Sequence, residues 1–280
     1  MAEILGGVGT SHVPAIGAAI DHGKCGEPYW QPVFEGTQAA REWMKEAQPD
    51  VCIIIYNDHA SCFDLRLTPT FALGVGENFL PHDEGYGPRP VPSVEGAPDL
   101  AWHIADSLVA QNFDITLVSE MTVDHGLTVP LSILYDQPTE WPCKVIPLCV
   151  NVIQHPLPTA SRCYALGKAL RAAIESHDSP LKVAVIGTGG LSHQLQGERA
   201  GLINEAYDQQ WLDLFINAPE QAAAIDVAEM LRETGSEGVE AIMWLVMRGC
   251  LDAEVRTHHR FYHVPVSNTA YGLVVLENAG

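Results

Sequence analysis

Short β-branched runs alternate along this chain with stretches whose apolar residues recur every three or four positions, the alternation expected of an α/β layer fold. Residues 51–56, 115–118, 144–148 and 183–186 read as buried strands, joined by residues 4–9 near the start and 270–276 near the end. Leu100, Ile104 and Leu108 fall at four-residue spacing with polar residues between them, as do Leu166, Leu170 and Ile174, which predicts amphipathic helices packed on the sheet. Residues 74–98, rich in Gly and Pro, read as a long loop that covers a site or meets a partner. The chain shows no internal repeat, low-complexity tract or linker-like shift, so one domain over 1–280 is expected.

One polar position breaks this pattern. Residues 238–247 are apolar on every helical face except at Glu240. A helix apolar all round is buried, and an ionised carboxylate there costs several kcal/mol unless a cation or full hydrogen bonding compensates it. The nearest following base, Arg248, lies eight residues on and cannot pair with it along the helix. A metal ion is the natural partner; a place on the helix's exposed edge, or an Arg from elsewhere in the fold, is the plainer alternative.

Composition narrows the classes. With 280 residues and 47% hydrophobic content the chain can bury about three quarters of its unfolded surface, so a large unstapled core is expected. No apolar run approaches a membrane span and the first residues lack a signal core, which leads us to expect a soluble, cytoplasmic protein. Seven cysteines without a C-x-x-C pair point to reduced thiols rather than disulfides or structural zinc. A net charge of -20 with no basic stripe repels nucleic acid and anionic membranes.

The histidines supply the chemistry. His12 follows the first strand and His59 follows residues 51–56, which places each imidazole beyond a strand's carboxyl end, where binding groups of α/β proteins collect. Either alone is more often a solvated loop side chain. With Glu240 they form two imidazoles and one carboxylate, the set that leaves open positions on non-haem Fe(II) and equally suits catalytic Zn(II). His193 follows residues 183–186 in Gly187-Thr188-Gly189-Gly190-Leu191-Ser192-His193. As a dinucleotide loop this fails, because Ser192 occupies the third glycine position and no P-loop lysine follows. The glycines are instead expected to let backbone approach a ligand, with His193 as general base. His125, in Asp124-His125-Gly126, is a substrate-binding candidate or a structural histidine held by Asp124. Cys62, three residues after His59, has no second pair to complete a zinc site, and His258 and His259 read as surface or packing residues.

Five segments together carry a family resemblance. Thr10-Ser11-His12-Val13-Pro14-Ala15, Tyr56-Asn57-Asp58-His59-Ala60, Asp83-Glu84-Gly85-Tyr86-Gly87-Pro88-Arg89-Pro90, the glycine segment extended from His193 to Gly197, and Gly235-Ser236-Glu237-Gly238-Val239-Glu240 resemble the class III, LigB-type extradiol dioxygenases, in particular the β subunits that cleave protocatechuate. The likeness runs in order over nearly the whole chain, although the chain stops sooner than those subunits often do. It implies a three-layer α/β/α fold with a mixed central sheet. It also implies that His12, His59 and Glu240 bind Fe(II), that His193 is the acid/base, and that His125 and Asn57 meet substrate. Val266-Ser267-Asn268-Thr269 is similar to the stretch that meets the substrate carboxylate, with Arg89 as the next candidate. A separate small α subunit in an α2β2-type assembly is implied, with meta cleavage of protocatechuate, or of gallate or 3-O-methylgallate, as the reaction. Two rival readings use the same residues: a zinc hydrolase, and a non-catalytic LigB-like binding protein.

Overall fold

A computed structural model describes residues 1–279. Its strands are β1 (Glu3–Thr10), β2 (Val51–Tyr56), β3 (Phe71–Gly74), β4 (Asn78–Pro81), β5 (Val94–Glu95), β6 (Thr116–Val118), β7 (Thr122–Val123), β8 (Lys144–Val150), β9 (Lys182–Thr188), β10 (Val255–Val266) and β11 (Thr269–Asn278). Its helices are α1 (Pro14–Asp21), α2 (Gln31–Ala47), α3 (Pro98–Ala110), α4 (His125–Tyr135), α5 (Ala160–Glu175), α6 (Glu205–Asn217), α7 (Pro219–Ala223), α8 (Val227–Thr234) and α9 (Ile242–Gly249).

Eight strands form one mixed sheet in the order β10-β11-β1-β9-β2-β8-β3-β6. The central four, β1, β9, β2 and β8, run parallel, and β11 joins β1 antiparallel. Period-two alternation divides the core. Ile53 and Ile55 face one layer with α3, α5, α6 and α9, while Cys52, Ile54 and Tyr56 face the other with α1, α2 and α4. The central strands are buried on both faces and therefore read as continuous apolar runs, and the three-layer α/β/α expectation holds.

Four expectations need correction. Residues 74–98 are not one loop, because β4 and β5 within them pair with each other and β4 pairs with β7 in a second, three-stranded sheet. The segment around Glu240 is not one helix. A single 3-10 turn, Gly238–Ala241, carries the glutamate and hands over to α9. The strand β10 was not foreseen at all. It is an edge strand with mixed burial, so its side chains show no clean apolar alternation, and His258 and His259 lie within it. Last, Gly187 and Gly189 make room for protein rather than for a ligand. A Cβ at Gly187 would lie 2.8 Å from the Trp244 backbone, and one at Gly189, whose φ is +96°, would lie 2.7 Å from Glu240 Cβ. Cα atoms without a side chain, in and just past the end of β9, are what let α9 and Glu240 settle onto the sheet.

Candidate active site

Because β9 lies between β1 and β2, the chain segments leaving their carboxyl ends converge. His12 leaves β1, Asn57 and His59 leave β2, His193 leaves β9, and Glu240 descends on them from the 3-10 turn. The Glu240 carboxylate spans the group, with Oε2 3.3 Å from His12 Nε2 and 3.9 Å from His193 Nε2, and Oε1 3.7 Å from His59 Nε2. Glu240 is 3% exposed. No Lys or Arg pairs with it among the described residues, and Arg248 instead donates to the carbonyls of Ile216, Asp252 and Ala253. The carboxylate does receive the Gly190 N–H at 3.0 Å and the Asn57 side-chain amide at 3.2 Å.

Hydrogen bonds on the far side of each ring fix which nitrogen faces the centre. Thr188 Oγ1 donates to the Gly126 carbonyl, so it must accept from His12 Nδ1 at 3.0 Å, which leaves the Nε2 lone pair toward Glu240. Asp124 Oδ2 accepts from His59 Nδ1 at 3.1 Å and from the His59 backbone N–H at 2.7 Å. The Leu191 carbonyl accepts from His193 Nδ1 at 2.8 Å. In neutral rings, three Nε2 lone pairs thus converge on a carboxylate. Acceptors facing acceptors in a buried space repel unless a proton or a metal cation lies among them.

A proton meets that demand unevenly. Burial lowers the pKa of His12, and the attraction of Glu240 does not restore it. Burial acts on His59 in the same direction, but Asp124 and Glu240 outweigh it and raise the imidazole to about 10. Glu240 is held well below the usual carboxylate range because the neighbouring histidines, His12 foremost, overcome its burial. Donors oriented by a carboxylate and a hydroxyl behind them form the arrangement that metal-ligating histidines adopt. The residues present therefore fit a divalent metal.

Asp124 orients His59 rather than His125. With its other oxygen it caps α4, accepting from the Gly126 N–H at 2.8 Å, so one buried carboxylate fixes both a helix start and a ring. His125 is held by Glu84, whose carboxylate accepts from both its Nδ1 and, at 2.9 Å, its backbone N–H. The His125 ring packs 3.9 Å from that of His59, and His12, His59 and His125 each bring one nitrogen within 4.8 Å of the other two. Asn57 is wholly buried, and its amide nitrogen lies between Glu240 and His59 Nε2 while its Oδ1 has no partner.

The remaining candidates lie outside this cluster. Ser267 and Asn268 form the exposed turn between β10 and β11, where Ser267 N–H donates to the Tyr29 hydroxyl. The turn adjoins the site through Thr269, which bridges to His193. Arg89 is already committed, holding Asp21 with two hydrogen bonds of 3.0 and 2.7 Å. Cys62 packs against Thr122. Glu84, Thr188 and Asp208 are site-supporting residues that the sequence reading did not single out. Asp208 accepts from the backbone N–H and hydroxyl of Ser192 and from the Tyr262 hydroxyl, fixing the segment that carries His193.

A mixed α/β sheet whose strand ends gather imidazoles and a buried carboxylate defines an α/β protein with a candidate metal site. Its residues 6–274 match the model of the catalytic LigB subunit of aromatic ring-opening dioxygenase, and the chain belongs to that family. It is 46% identical to a gallate dioxygenase of Pseudomonas putida (strain KT2440) over 196 residues, 70% of this chain but only 57% of that protein. It is 26% identical to a 2,3-dihydroxyphenylpropionate/2,3-dihydroxicinnamic acid 1,2-dioxygenase of Comamonas testosteroni, covering 97% of this chain and 96% of the relative. An uncharacterized Escherichia coli K12 protein shares the fold, with a TM-score of 0.57 at 15% identity over 97% of this chain and 99% of its own.

Proposed function

We propose that this chain is the catalytic subunit of an Fe(II)-dependent extradiol dioxygenase that opens the ring of a catechol carboxylate with O2. The observation that carries the reading is Glu240, buried among Nε2 atoms whose rings are each anchored from behind. His12, His59 and Glu240 would hold the iron, which when bound supplies Lewis acidity toward the catechol oxygens and a place for O2.

The chain's own residues supply the rest. His193, with Nδ1 tied to the Leu191 carbonyl, presents Nε2 as the base that takes a catechol hydroxyl proton and later returns it to a product oxygen. His125, steadied by Glu84, orients the substrate edge. Asn57 keeps the Glu240 carboxylate turned toward the rings. Burial of His12, Asn57 and Glu240 excludes water from the reacting atoms. From protocatechuate the product is 4-carboxy-2-hydroxymuconate semialdehyde. Gallate is a substrate of equal standing, favoured by the 46% identity to a gallate dioxygenase.

A small separate α subunit closing the site fits the exposed apolar side chains on the site-bearing loops, where Tyr86 is 100%, Leu65 84% and Leu195 55% exposed. Among the described residues no helix is long and apolar enough to cross a membrane, and we take the protein to act in the cytoplasm.

The test is anaerobic loading with Fe(II) or Zn(II), then oxygen uptake with protocatechuate, gallate and 3-O-methylgallate, with and without an added α subunit. Uptake with iron alone, together with loss of iron from Glu240→Gln on anaerobic desalting, is the expected result. An iron-loaded protein that consumes no oxygen with any of the three would overturn the proposal, and hydrolysis by the zinc form would replace it.

A further inference from the structure

A cleft of about 1170 Å³ opens away from the histidine cluster, at the other end of the parallel strands, where Asp50, Lys144 and Lys182 precede or begin β2, β8 and β9. Two sulfurs meet in its wall. Cys52 is the second residue of β2, and Cys143 immediately precedes β8, two positions before the Val145 that pairs with Cys52. Their Sγ atoms lie 3.4 Å apart and share a hydrogen bond, with the Tyr135 hydroxyl 3.8 Å from Cys52 Sγ. Among the described residues no other two cysteine sulfurs are hydrogen-bonded to each other. The pair is also asymmetric. Cys143 lines the cleft and is 7% exposed, whereas Cys52 behind it is 0% exposed.

We infer that Cys52 and Cys143 form a reactive dithiol that reduces hydroperoxides, with Cys143 as the attacking sulfur and Cys52 as the resolving one. Cys143, which donates to Cys52, is the sulfur that reaches the cleft. The contact between the two sulfurs holds Cys143 below its ordinary range, while that contact and burial push Cys52 up, so the sulfur nearer the cleft is the one that ionises. Its thiolate attacks one peroxide oxygen. An S–O bond forms, the O–O bond breaks, and the departing oxygen takes a proton to leave as water or an alcohol. The Cys52 thiol then loses its proton and attacks the Cys143 sulfur, expelling the second oxygen as water. Two thiols are oxidised to one disulfide and the peroxide is reduced. The sulfurs need to approach by roughly 1.4 Å to reach the bonding distance of about 2.05 Å. Cys163 and Cys250 are buried and Cys25 is partly exposed, and none of the three is hydrogen-bonded to another cysteine sulfur.

The experiment uses the full-length protein with a chelator present, so that iron–peroxide chemistry does not intervene, and millimolar hydrogen peroxide as the probe. Free thiols are then alkylated in denaturant and the unreduced peptides mapped by mass spectrometry. The expected product is a Cys52–Cys143 linked peptide, with two of the seven thiols lost and both recovered on treatment with dithiothreitol. Cys143→Ser should lower the oxidation of Cys52 at least tenfold, while Cys52→Ser should leave Cys143 as a sulfenic acid that dimedone traps. A wild-type Cys143 that stays reduced while Cys25 oxidises would overturn the inference, as would one that runs on to the sulfinic acid without linking to Cys52.

Discussion

At the scale of single residues, the four imidazoles of the site set Nδ1 against acceptors of three kinds: a hydroxyl for His12, a carboxylate for His59 and His125, a carbonyl for His193. His193, held by a backbone carbonyl and facing the Glu240 carboxylate, is the proposed acid/base. His193→Gln should therefore retain iron and slow turnover by on the order of 10²–10⁴. Glu84→Ala should act through its neighbour. With the carboxylate gone, the His125 ring loses its anchor, and we expect kcat to fall by roughly ten- to a hundredfold with bound iron unchanged, the usual effect of losing an orienting partner. Iron content by mass spectrometry and kcat against KM for both variants decide the matter. If Glu84→Ala releases the metal, His125 belongs with His12 and His59 as a ligand, an arrangement their mutual approach within 4.8 Å permits.

At the scale of elements, the strand ends were legible and their supports were not. Continuous β-branched runs fix β2 and β9, and a histidine just past such a run lies beyond the strand's carboxyl end, so His59 and His193 could be placed from local pattern alone. Glu240 was legible because a charge in an apolar segment contradicts its surroundings. The partners of these residues come from remote segments. Asp124 reaches His59 across 65 positions and Glu84 reaches His125 across 41, and no local periodicity encodes such pairings. Asp208, on the first turn of α6, is a further case, since it is a buried carboxyl that grips Ser192 from 16 positions away. Burial raises its pKa to about 6 against the opposing hydrogen bonds from Ser192 and Tyr262. A carboxyl whose folded pKa lies above the unfolded value favours folding most below the unfolded value, here 3.8, and the contribution is lost as pH rises through about 6. Between pH 5.0 and 7.5 that loss amounts to roughly 1 kcal/mol. Asp208→Asn cannot titrate, so the difference in urea-unfolding free energy between those two pH values should shrink by about that amount relative to wild type. An unchanged difference would mean that the side chain is already ionised at pH 5.0.

At the scale of the whole molecule, a net charge of -20 confronts the proposed substrate, itself a carboxylate anion. Long-range repulsion then slows encounter, and the substrate carboxylate must be held at short range by neutral donors. Arg89 is paired with Asp21, which offsets its charge. Ser267 and Asn268 remain the proposed donors, on a turn that Thr269 ties to His193 and in which Ser267 adopts a left-handed φ of 56°. The two contributions separate by their response to salt. Raising ionic strength from about 10 mM to about 150 mM shortens the screening length from about 30 Å to about 8 Å. The field is screened over that range while hydrogen bonds inside the site are not. Thus kcat/KM for protocatechuate should increase with salt, whereas that for 4-methylcatechol, which has no carboxylate, should stay flat. Ser267→Ala should weaken protocatechuate by about 1–3 kcal/mol at every salt concentration and leave 4-methylcatechol unchanged, because only the former loses a donor to a charged acceptor. The measurement is the ratio of kcat/KM for the two substrates across that salt range, in wild type and variant, with the same α subunit present throughout. A ratio that depends on salt but not on Ser267 would leave the global field in place and move the carboxylate donors to another segment or to the partner.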